Sequence, residues 1–253
     1  MRDIYRQFAL AKELKPVAED PMLEAGFLLD YHLLHPEKDV SALIQRRLAG
    51  EPLQYVLGEW DYWGMTFTVD RRALIPRPDT ELLTQTALEL LSGGERVLDL
   101  CCGSGCIGIS IAASVSVELV SADISREAIS LTEENANRHG VRLTSVISDL
   151  FTQITGTFDL IVCNPPYLTK EEISSMEHSL RFEPEIALYG GEDGLDFYRK
   201  IREQYSGFLR PGGTMLLEIG WHQAEDVIQL FRNATVLNDY GDRPRCVAVK
   251  KDD

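Results

Sequence analysis

The stretch Val97-Leu98-Asp99-Leu100-Cys101-Cys102-Gly103-Ser104-Gly105-Cys106-Ile107-Gly108 decides the fold. An apolar strand leads into a glycine-containing loop, and the loop leads into the apolar start of a helix. Gly103, Gly105 and Gly108 match the spacing of the dinucleotide-binding pattern, in which bare backbone lets a ligand approach closely. The stretch predicts the first strand–loop–helix unit of a Rossmann-like sheet, with a cofactor at the carboxyl end of the strand.

Three acidic residues follow predicted strands and indicate which cofactor is bound. Asp99 precedes the glycines, Asp123 ends the apolar stretch 119–122, and Asp149 follows the apolar-rich segment 143–148. A carboxylate at position 99 would repel a pyrophosphate, but it suits the cationic amino-acid end of S-adenosylmethionine. Opposite charges about 4 Å apart gain roughly 4 kcal/mol at an effective dielectric near 20, before desolvation is subtracted. Asp123 is expected to hold the ribose hydroxyls and Asp149 to face the adenine amino group.

The glycine pattern alone does not distinguish NAD from other adenosine cofactors, but three acids fit a cation-bearing nucleoside better than a diphosphate. The expected cofactor is therefore S-adenosylmethionine, with S-adenosylhomocysteine as product. The predicted cofactor-binding residues are Asp99, Cys101, Cys102, Gly103, Ser104, Gly105, Asp123, Ile124, Asp149, Leu150 and Asn164.

Asn164-Pro165-Pro166-Tyr167 follows the apolar run 158–163 and predicts the reaction centre. The two prolines fix φ and donate no backbone hydrogen bond, so their carbonyls are free to accept. With the Asn164 side chain they form a stiff, acceptor-rich cradle that suits a planar NH2 group. We expect Asn164 and Pro165 to accept its two hydrogens, and Pro166 and Tyr167 to sandwich it. A simple polar turn is the alternative, since Asn-Pro and Pro-Pro are common loop sequences.

An amide nitrogen reacting in this cradle needs orientation more than a base. Its lone pair is delocalised, and its protons are too weakly acidic for a carboxylate to remove beforehand. No histidine or acidic residue adjoins the tetrapeptide in the sequence. Orientation can supply several kcal/mol of barrier reduction, and preorganised dipoles add more. The predicted catalytic residues are Asn164, Pro165 and Tyr167, and no metal is expected.

From residue 95 onward the sequence alternates strand and helix patterns, which indicates an α/β fold with a doubly wound, mostly parallel seven-stranded sheet. The region before it separates into a helical part with apolar periodicity up to Gly50 and an aromatic-rich β-hairpin linker between Val56 and Val69. We predict a small domain over residues 1–75 and a cofactor domain over 76–253. Strands are predicted near 95–100, 118–122, 143–148, 158–163, 214–219, 233–237 and 245–250, with helices near 79–91, 105–113, 125–139, 194–208 and 221–231.

These motifs resemble the class I S-adenosylmethionine-dependent methyltransferases that modify NH2 groups. Within that group the chain resembles the bacterial HemK-type family of peptide chain release factor N5-glutamine methyltransferases. The resemblance extends from about residue 20 onward and is most specific in Ile75-Pro76-Arg77-Pro78-Asp79-Thr80-Glu81. Its other motifs are Glu51-Pro52-Leu53-Gln54-Tyr55 with Gly58, Arg181-Phe182-Glu183-Pro184 with Ala187-Leu188, Gly190-Gly191 with Asp193-Gly194-Leu195, and the segment 239–249 with Gly241, Arg243 and Arg245.

The resemblance implies methyl transfer to the glutamine of the Gly-Gly-Gln loop in class I release factors, with residues 1–75 docking that substrate. Cys101 departs from the family pattern, because the first loop glycine usually stands there. A cysteine is small, so the departure suggests altered cofactor contacts rather than lost binding.

Charge and composition agree with a monomeric cytoplasmic enzyme of 253 residues. The net charge of −15 lacks the basic surface that nucleic-acid binding needs, and fits a basic protein substrate better. No apolar run approaches the roughly 20 residues needed to span a bilayer, and the first residues lack a signal-peptide pattern. The five cysteines lack metal-site spacing and indicate buried thiols in a reducing compartment.

Three alternatives stay open at this stage. The same tetrapeptide suits an N6-adenine or other exocyclic-amino nucleic-acid methyltransferase, although base flipping would need a basic channel. The glycine loop alone would also suit an NAD-dependent oxidoreductase. A non-catalytic module that keeps the cofactor fold is the third.

Overall fold

The computed structural model describes residues 4–175 and 178–252. The chain begins with a helical unit, of whose predicted range residues 1–3 lie outside the described part. Asp20 caps the second helix and Asp39 the third, each side chain accepting backbone N–H bonds from the first turn, and Pro21 occupies a first-turn position. The helices are α1 (Ile4–Leu14), α2 (Pro21–Leu34), α3 (Val40–Leu48) and α4 (Leu53–Leu57).

A short antiparallel hairpin follows the helices, as the sequence predicts, with strands β1 (Glu59–Tyr62) and β2 (Met65–Thr68). Tyr62 and Phe67 are fully buried and belong to the same apolar cluster as the sheet and its flanking helices. Asn135 ties the hairpin down further, because its side chain accepts from Thr68 N and donates to Thr68 O. The hairpin is therefore packed as part of the cofactor unit, although the sequence assigns it to the segment before residue 76.

The central sheet confirms the predicted fold class. Its strands are β3 (Arg96–Leu100), β4 (Glu118–Asp123), β5 (Leu143–Ile147), β6 (Phe158–Cys163), β7 (Leu209–Glu218), β8 (Ala234–Asn238) and β9 (Pro244–Lys250). They lie in the order β5-β4-β3-β6-β7-β9-β8. Among these seven strands β9 runs in the direction opposite to the other six. The chain order reverses beside β3, which is the position where open α/β sheets bind ligands.

Helices on both faces cover the sheet and bury nearly every residue of β3, β6 and the second half of β7. They are α5 (Glu81–Leu90), α6 (Cys106–Ser114), α7 (Arg126–His139), α8 (Lys170–Ser175), α9 (Asp196–Gln204) and α10 (Ala224–Leu230). In the described ranges none of these helices is long and apolar enough to cross a membrane.

Three elements differ from the sequence prediction. The short helix α4 occupies Leu53–Leu57, where the helical part was predicted to have ended at Gly50 and the hairpin linker to begin at Val56. The helix α8 was not predicted, because its sequence Lys-Glu-Glu-Ile-Ser-Ser carries a single large apolar residue and so no periodicity. Strand β7 begins at Leu209 rather than near residue 214, since Pro211, Gly212 and Gly213 resemble a turn. The pairing of β6 with β7 shifts register between Phe158 and Leu160, which accommodates the irregular start of β7.

Candidate functional site

A cavity of about 280 Å³ lies at the carboxyl ends of β3, β4, β5 and β6, and we call it the nucleoside cavity. Of the predicted cofactor-binding residues, nine line it: Cys101, Cys102, Gly103, Ser104, Asp123, Ile124, Asp149, Leu150 and Asn164. Gly105 lies just outside, where it begins α6. The structure thus brings most of the predicted cofactor-binding residues together at one cavity; Gly105 and Asp99 are the two that do not line it.

Asp99 is fully buried beneath α6, and it is not among the residues that line the nucleoside cavity. Its Oδ2 accepts from the backbone N–H of Gly108 at 3.0 Å, and Oδ1 has no hydrogen-bond partner among the residues that the structure describes. Burial raises the pKa of this carboxyl to about 7. Asp99 lies behind the cavity wall, beside α6, and its contact with the cofactor stays a prediction. Gly108 is needed for this packing, since a Cβ there would lie 2.7 Å from the Asp99 Oδ2.

Cys101 adopts a left-handed conformation with φ of 59°. That region costs a residue with a side chain roughly 1–2 kcal/mol, which explains in physical terms why a glycine suits the position. The Cys163 thiol and burial both raise the pKa of the Cys101 thiol, so it stays protonated. Its backbone strain lies at the cavity wall, where strained residues are commonly found.

Asp123 joins the glycine loop to the start of α7. Its Oδ2 accepts from Gly103 N at 3.0 Å and its Oδ1 accepts from Ser125 N at 2.9 Å. Ser125, rather than Asp123, caps the helix, because its hydroxyl accepts from Ala128 N. Burial raises the pKa of the Asp123 carboxyl against these backbone hydrogen bonds. Each oxygen retains a lone pair that is free for a ligand.

The third acid lies on a more exposed loop. Asp149 is exposed at the cavity edge, while the next residue, Leu150, is buried with a φ of 48°. Ser148 fixes this loop, because its hydroxyl donates to Leu150 O at 2.6 Å and accepts from Gln153 N at 3.0 Å. The Asp149 carboxylate is thereby presented to the cavity on a rigid loop.

A second cavity, of about 300 Å³, lies on the other side of Asn164. We call it the acceptor cavity, because Pro165 and Tyr167 of the tetrapeptide line it. Both cavities share Asn164, which therefore stands where they meet. The other shared lining residues are Leu74, Arg77 and Ala187. Two ligand-sized spaces that meet at one side-chain amide form the geometry of a transfer reaction.

The Asn164 side chain is oriented by a threonine that the sequence reasoning did not single out. Its Nδ2 donates to the Thr80 Oγ1 at 3.4 Å, and Thr80 is itself buried. Because the amide is planar, this bond turns Oδ1 away from Thr80 and leaves it free to accept. The oxygen is the atom that a substrate NH2 requires.

The sequence reasoning also missed Glu218, the last residue of β7 and a wall of the acceptor cavity. Glu218 is 2% exposed, and its Oε1 accepts from the Tyr167 hydroxyl at 3.3 Å. Burial raises the pKa of Glu218 to about 7. The sequence did contain a signal for Glu218, because an acidic residue at the end of a buried apolar strand is the same pattern that pointed to Asp99 and Asp123.

The backbone of the tetrapeptide is held from two sides. Gln223 is buried, and its Nε2 donates to the Tyr167 carbonyl at 3.1 Å. On the other side Leu168 N donates to Leu188 O at 2.9 Å, and Gly190 N donates to Leu168 O at 2.8 Å. The segment around residues 188–190 therefore forms a clasp beside the tetrapeptide.

A buried glutamate connects the clasp segment to the residues before α5. Glu183 accepts from Ile75 N at 2.9 Å and from the Arg77 guanidinium at 2.5 Å. Arg77 and Ala187 line both cavities, so this contact closes the wall between them. Within residues 4–175 and 178–252 no group of three or more His, Cys, Asp or Glu side chains is arranged to hold a metal ion.

The sequence of the chain is similar to sequences of known methyltransferases. Residues 78–181 match the model of the methyltransferase small domain. A release factor glutamine methyltransferase of Geobacter sulfurreducens is 41% identical over 203 residues, which cover 78% of this chain and 72% of that protein. One from Deinococcus radiodurans is 36% identical over 253 residues, covering 92% of this chain and 91% of that protein.

Solved structures agree on the fold at lower identity. A methyltransferase from Pyrococcus furiosus superposes with a TM-score of 0.57 at 18% identity, covering 75% of this chain and 90% of that one. The 16S rRNA N2 G1207 methyltransferase of Thermus thermophilus, solved with AdoMet and guanosine, gives a TM-score of 0.56 at 18% identity. That match covers 76% of this chain and 49% of the rRNA enzyme.

The clasp generates a prediction. A Cβ on Gly190 would lie 2.6 Å from Tyr167 Cα and 2.7 Å from Pro166 O, which are backbone atoms that cannot rotate away. Gly190→Ala should therefore destabilise the fold by about 1–3 kcal/mol, which corresponds to roughly 2–4 °C in Tm per kcal/mol for a chain of this size. Gly207→Ala is the control, because nothing lies within 4 Å of its Cβ position. Equal melting temperatures for the two variants would contradict the close approach.

Proposed function

Because the chain belongs to the family of release factor glutamine methyltransferases, we propose that it transfers a methyl group from S-adenosylmethionine to the side-chain amide nitrogen (N5) of a release-factor glutamine. The acceptor is the glutamine of the Gly-Gly-Gln loop in class I peptide chain release factors. One observation carries the proposal. The nucleoside cavity and the acceptor cavity meet at Asn164, whose side-chain oxygen is free to accept.

The residues of the nucleoside cavity suit S-adenosylmethionine chemically. Asp123 and Asp149 offer anionic acceptors for hydroxyl and amino donors, and Ile124, Leu150 and Ile107 offer apolar contact to a purine. The conformation of the glycine loop brings backbone rather than side chains to the cavity wall. When bound, the cofactor supplies an electrophilic methyl group on a sulfonium.

The chain's own residues orient the amide. Asn164 Oδ1 and the Pro165 carbonyl accept the two NH2 hydrogens, which points the nitrogen towards the junction of the cavities. Both acceptors gain strength as the nitrogen becomes positive during transfer, because the bonds become charge-assisted. We expect the amide plane to lie between Pro166, which lines the nucleoside cavity, and Tyr167, which lines the acceptor cavity. No group has to remove a proton before transfer, since the nitrogen becomes strongly acidic only afterwards.

Family membership and charge decide against the alternatives. The relatives named above are glutamine methyltransferases, which favours neither an NAD-dependent oxidoreductase nor a module without activity. A net charge of −15 opposes binding to the phosphates of DNA or RNA and favours a basic protein partner. We propose that the enzyme acts as a monomer in the cytoplasm, where translation factors work.

Labelled methyl transfer tests the proposed function directly. Purified class I release factor is incubated with the protein and S-adenosylmethionine carrying a labelled methyl group. We expect label in the wild-type factor and none in a factor whose Gly-Gly-Gln glutamine is replaced by alanine. Label in duplex DNA or ribosomal RNA in preference to the factor would refute the assignment.

Asn164 gives the sharpest catalytic prediction. Asn164→Ala should reduce the turnover number by about 10²–10³-fold, the usual effect of losing one oriented hydrogen-bonding group. Cofactor affinity, measured by calorimetric titration, should change little, because the removed oxygen serves the acceptor amide. Wild-type turnover in this variant would show that the cradle does not orient the substrate.

Two acids of the nucleoside cavity should differ in their effects. Asp149→Ala should weaken S-adenosylmethionine by about 10–100-fold, because hydrogen bonds to charged groups contribute roughly 1.5–3 kcal/mol, and should leave the melting temperature of the free protein unchanged. Asp123→Ala should weaken the cofactor and also lower that temperature, because Asp123 joins Gly103 to Ser125. Titration and a thermal melt of each variant measure both effects. Unchanged affinity in both variants would remove these acids from the cofactor site.

We further propose that α1–α3 provide the docking surface for the factor, while residues 76–253 carry the cofactor. Several large apolar side chains on these helices are exposed, including Phe8 and Leu34. Phe8→Asp and Leu34→Asp should raise KM for the whole factor, and should leave KM for a short Gly-Gly-Gln peptide unchanged. Leu90→Asp is the control, because Leu90 is similarly exposed on α5. An equal effect of all three variants on the whole factor would remove the docking role.

A further inference from the structure

Glu218 has a hydrogen-bonding capacity that the fold does not use. Its Oε1 accepts from the Tyr167 hydroxyl, whereas its Oε2 is buried and has no protein partner in the described ranges. The side chain lies in the wall of the acceptor cavity together with Asn164 and Pro165. An unpaired buried carboxylate oxygen is costly, because water has been removed without replacement.

Within the described ranges no group makes a hydrogen bond to Oε2. Arg245 lines the same cavity; its Nη2 pairs with Asp79 at 2.9 Å, whereas its buried Nε, like Oε2, has no hydrogen-bond partner there. The Thr80 and Tyr167 hydroxyls and Arg245 lower the pKa of Glu218, while burial, the largest effect, and Asp79 raise it to about 7. The other titratable groups that sense its charge are Tyr62, Cys106, Tyr198 and Cys246. Arg77, Glu172 and His222 line the same cavity.

A molecule that enters the acceptor cavity can supply the donor that Oε2 lacks. A glutamine within a peptide brings its side-chain NH2 group and the backbone N–H groups of its own and neighbouring residues. In the proposed reaction Asn164 and Pro165 take both NH2 hydrogens, so a backbone N–H is left over. Flanking glycines carry no side chains that would keep the backbone away from a buried acceptor.

We propose that Glu218 is a substrate-binding residue whose free Oε2 accepts a hydrogen bond from a backbone N–H of the peptide segment that carries the target glutamine. This inference rests on the proposed function and adds a second point of attachment for the acceptor. The target glutamine is then held at its side-chain nitrogen by the tetrapeptide and at its backbone by Glu218 of β7. Tyr167, which contacts both, links the two points.

Acceptor binding should depend on pH as a consequence. Above pH about 7 the ionised Glu218 offers acceptors on both oxygens. Below that pH the carboxyl gains a proton, and one oxygen becomes a donor that opposes an N–H group. The affinity for the acceptor therefore falls as pH falls through about 7. The affinity for the cofactor should not change with it, because Glu218 does not line the nucleoside cavity.

The test uses the full chain, a short synthetic Gly-Gly-Gln peptide and steady-state kinetics between pH 5.5 and 8.5 (roughly one and a half units either side of the midpoint). Glu218→Gln should raise KM for the peptide by about 10–100-fold at pH 8, the range expected when a hydrogen bond to a charged group is lost. The turnover number and KM for S-adenosylmethionine should change much less. The wild-type KM for the peptide should rise below pH 7, and the variant should not show that rise. Glu225→Gln, an exposed acid on α10, is the control.

A second variant distinguishes substrate binding from a structural role. Tyr167→Phe removes a hydrogen bond that lowers the pKa of Glu218. The midpoint of the pH dependence should therefore move to higher pH, a shift that general loss of stability would not produce. A Glu218→Gln enzyme with wild-type KM and an unchanged pH profile would overturn the inference. So would equal loss of cofactor and peptide affinity.

Failure of the proposed function would be recognised separately. If the wild-type enzyme labels no release factor, the function falls, and calorimetric titration of the same peptide against the wild type and Glu218→Gln still decides the inference. Tighter binding by the wild type supports it, and equal binding or no binding overturns it.

Discussion

The position of Asn164 depends on hydrogen bonds that hold the backbone just after it. The Gln223 amide holds the Tyr167 carbonyl from one side, and Leu188 and Gly190 pair with Leu168 from the other. Two consecutive prolines have no N–H with which to secure this loop, so its anchorage must come from the residues that follow. Glu183, which precedes the clasp in the chain, reaches back to Ile75 and Arg77. Both cavities thus take their shape from one set of contacts at the end of β6.

Acids stand at or near the ends of three strands, two of them buried and Asp123 half-buried, and their surroundings separate their roles. Burial raises the pKa values of Asp99, Asp123 and Glu218 alike. One Asp99 oxygen accepts from the backbone of α6 and the other has no hydrogen-bond partner among the described residues, whereas Asp123 joins two loops and keeps lone pairs towards the nucleoside cavity. Glu218 lines the acceptor cavity instead. Unpaired buried polar atoms are destabilising, so the unpartnered oxygens of Asp99 and Glu218 cost stability beside the two cavities.

Much of the fold was predictable, because strand and helix periodicities are local properties of the sequence. The seven strands, the glycine loop and the hairpin follow from such patterns. The helix α8 was missed for lack of periodicity, and the burial of Asp99 beside α6 could not be read from the sequence, because the sheet has a helix on each face at that strand. Thr80 and Glu218 escaped notice for another reason. They lie 84 residues from Asn164 and 51 from Tyr167 respectively, so only the tertiary structure brings them to the tetrapeptide.

The acceptor cavity is built to receive hydrogen-bond donors, and this bears on specificity. Asn164 Oδ1, the Pro165 carbonyl and Glu218 Oε2 are all acceptors, and Thr80 keeps the Asn164 amide in the orientation that makes this so. A glutamine presents an NH2 group to such a wall, whereas a glutamate in its place would present oxygen to oxygen. Sites built around a buried hydrogen bond discriminate strongly against partners that leave it unmade. The chemistry of a weakly nucleophilic amide is thus matched by a pocket that contributes orientation and charge-assisted acceptors rather than a strong base.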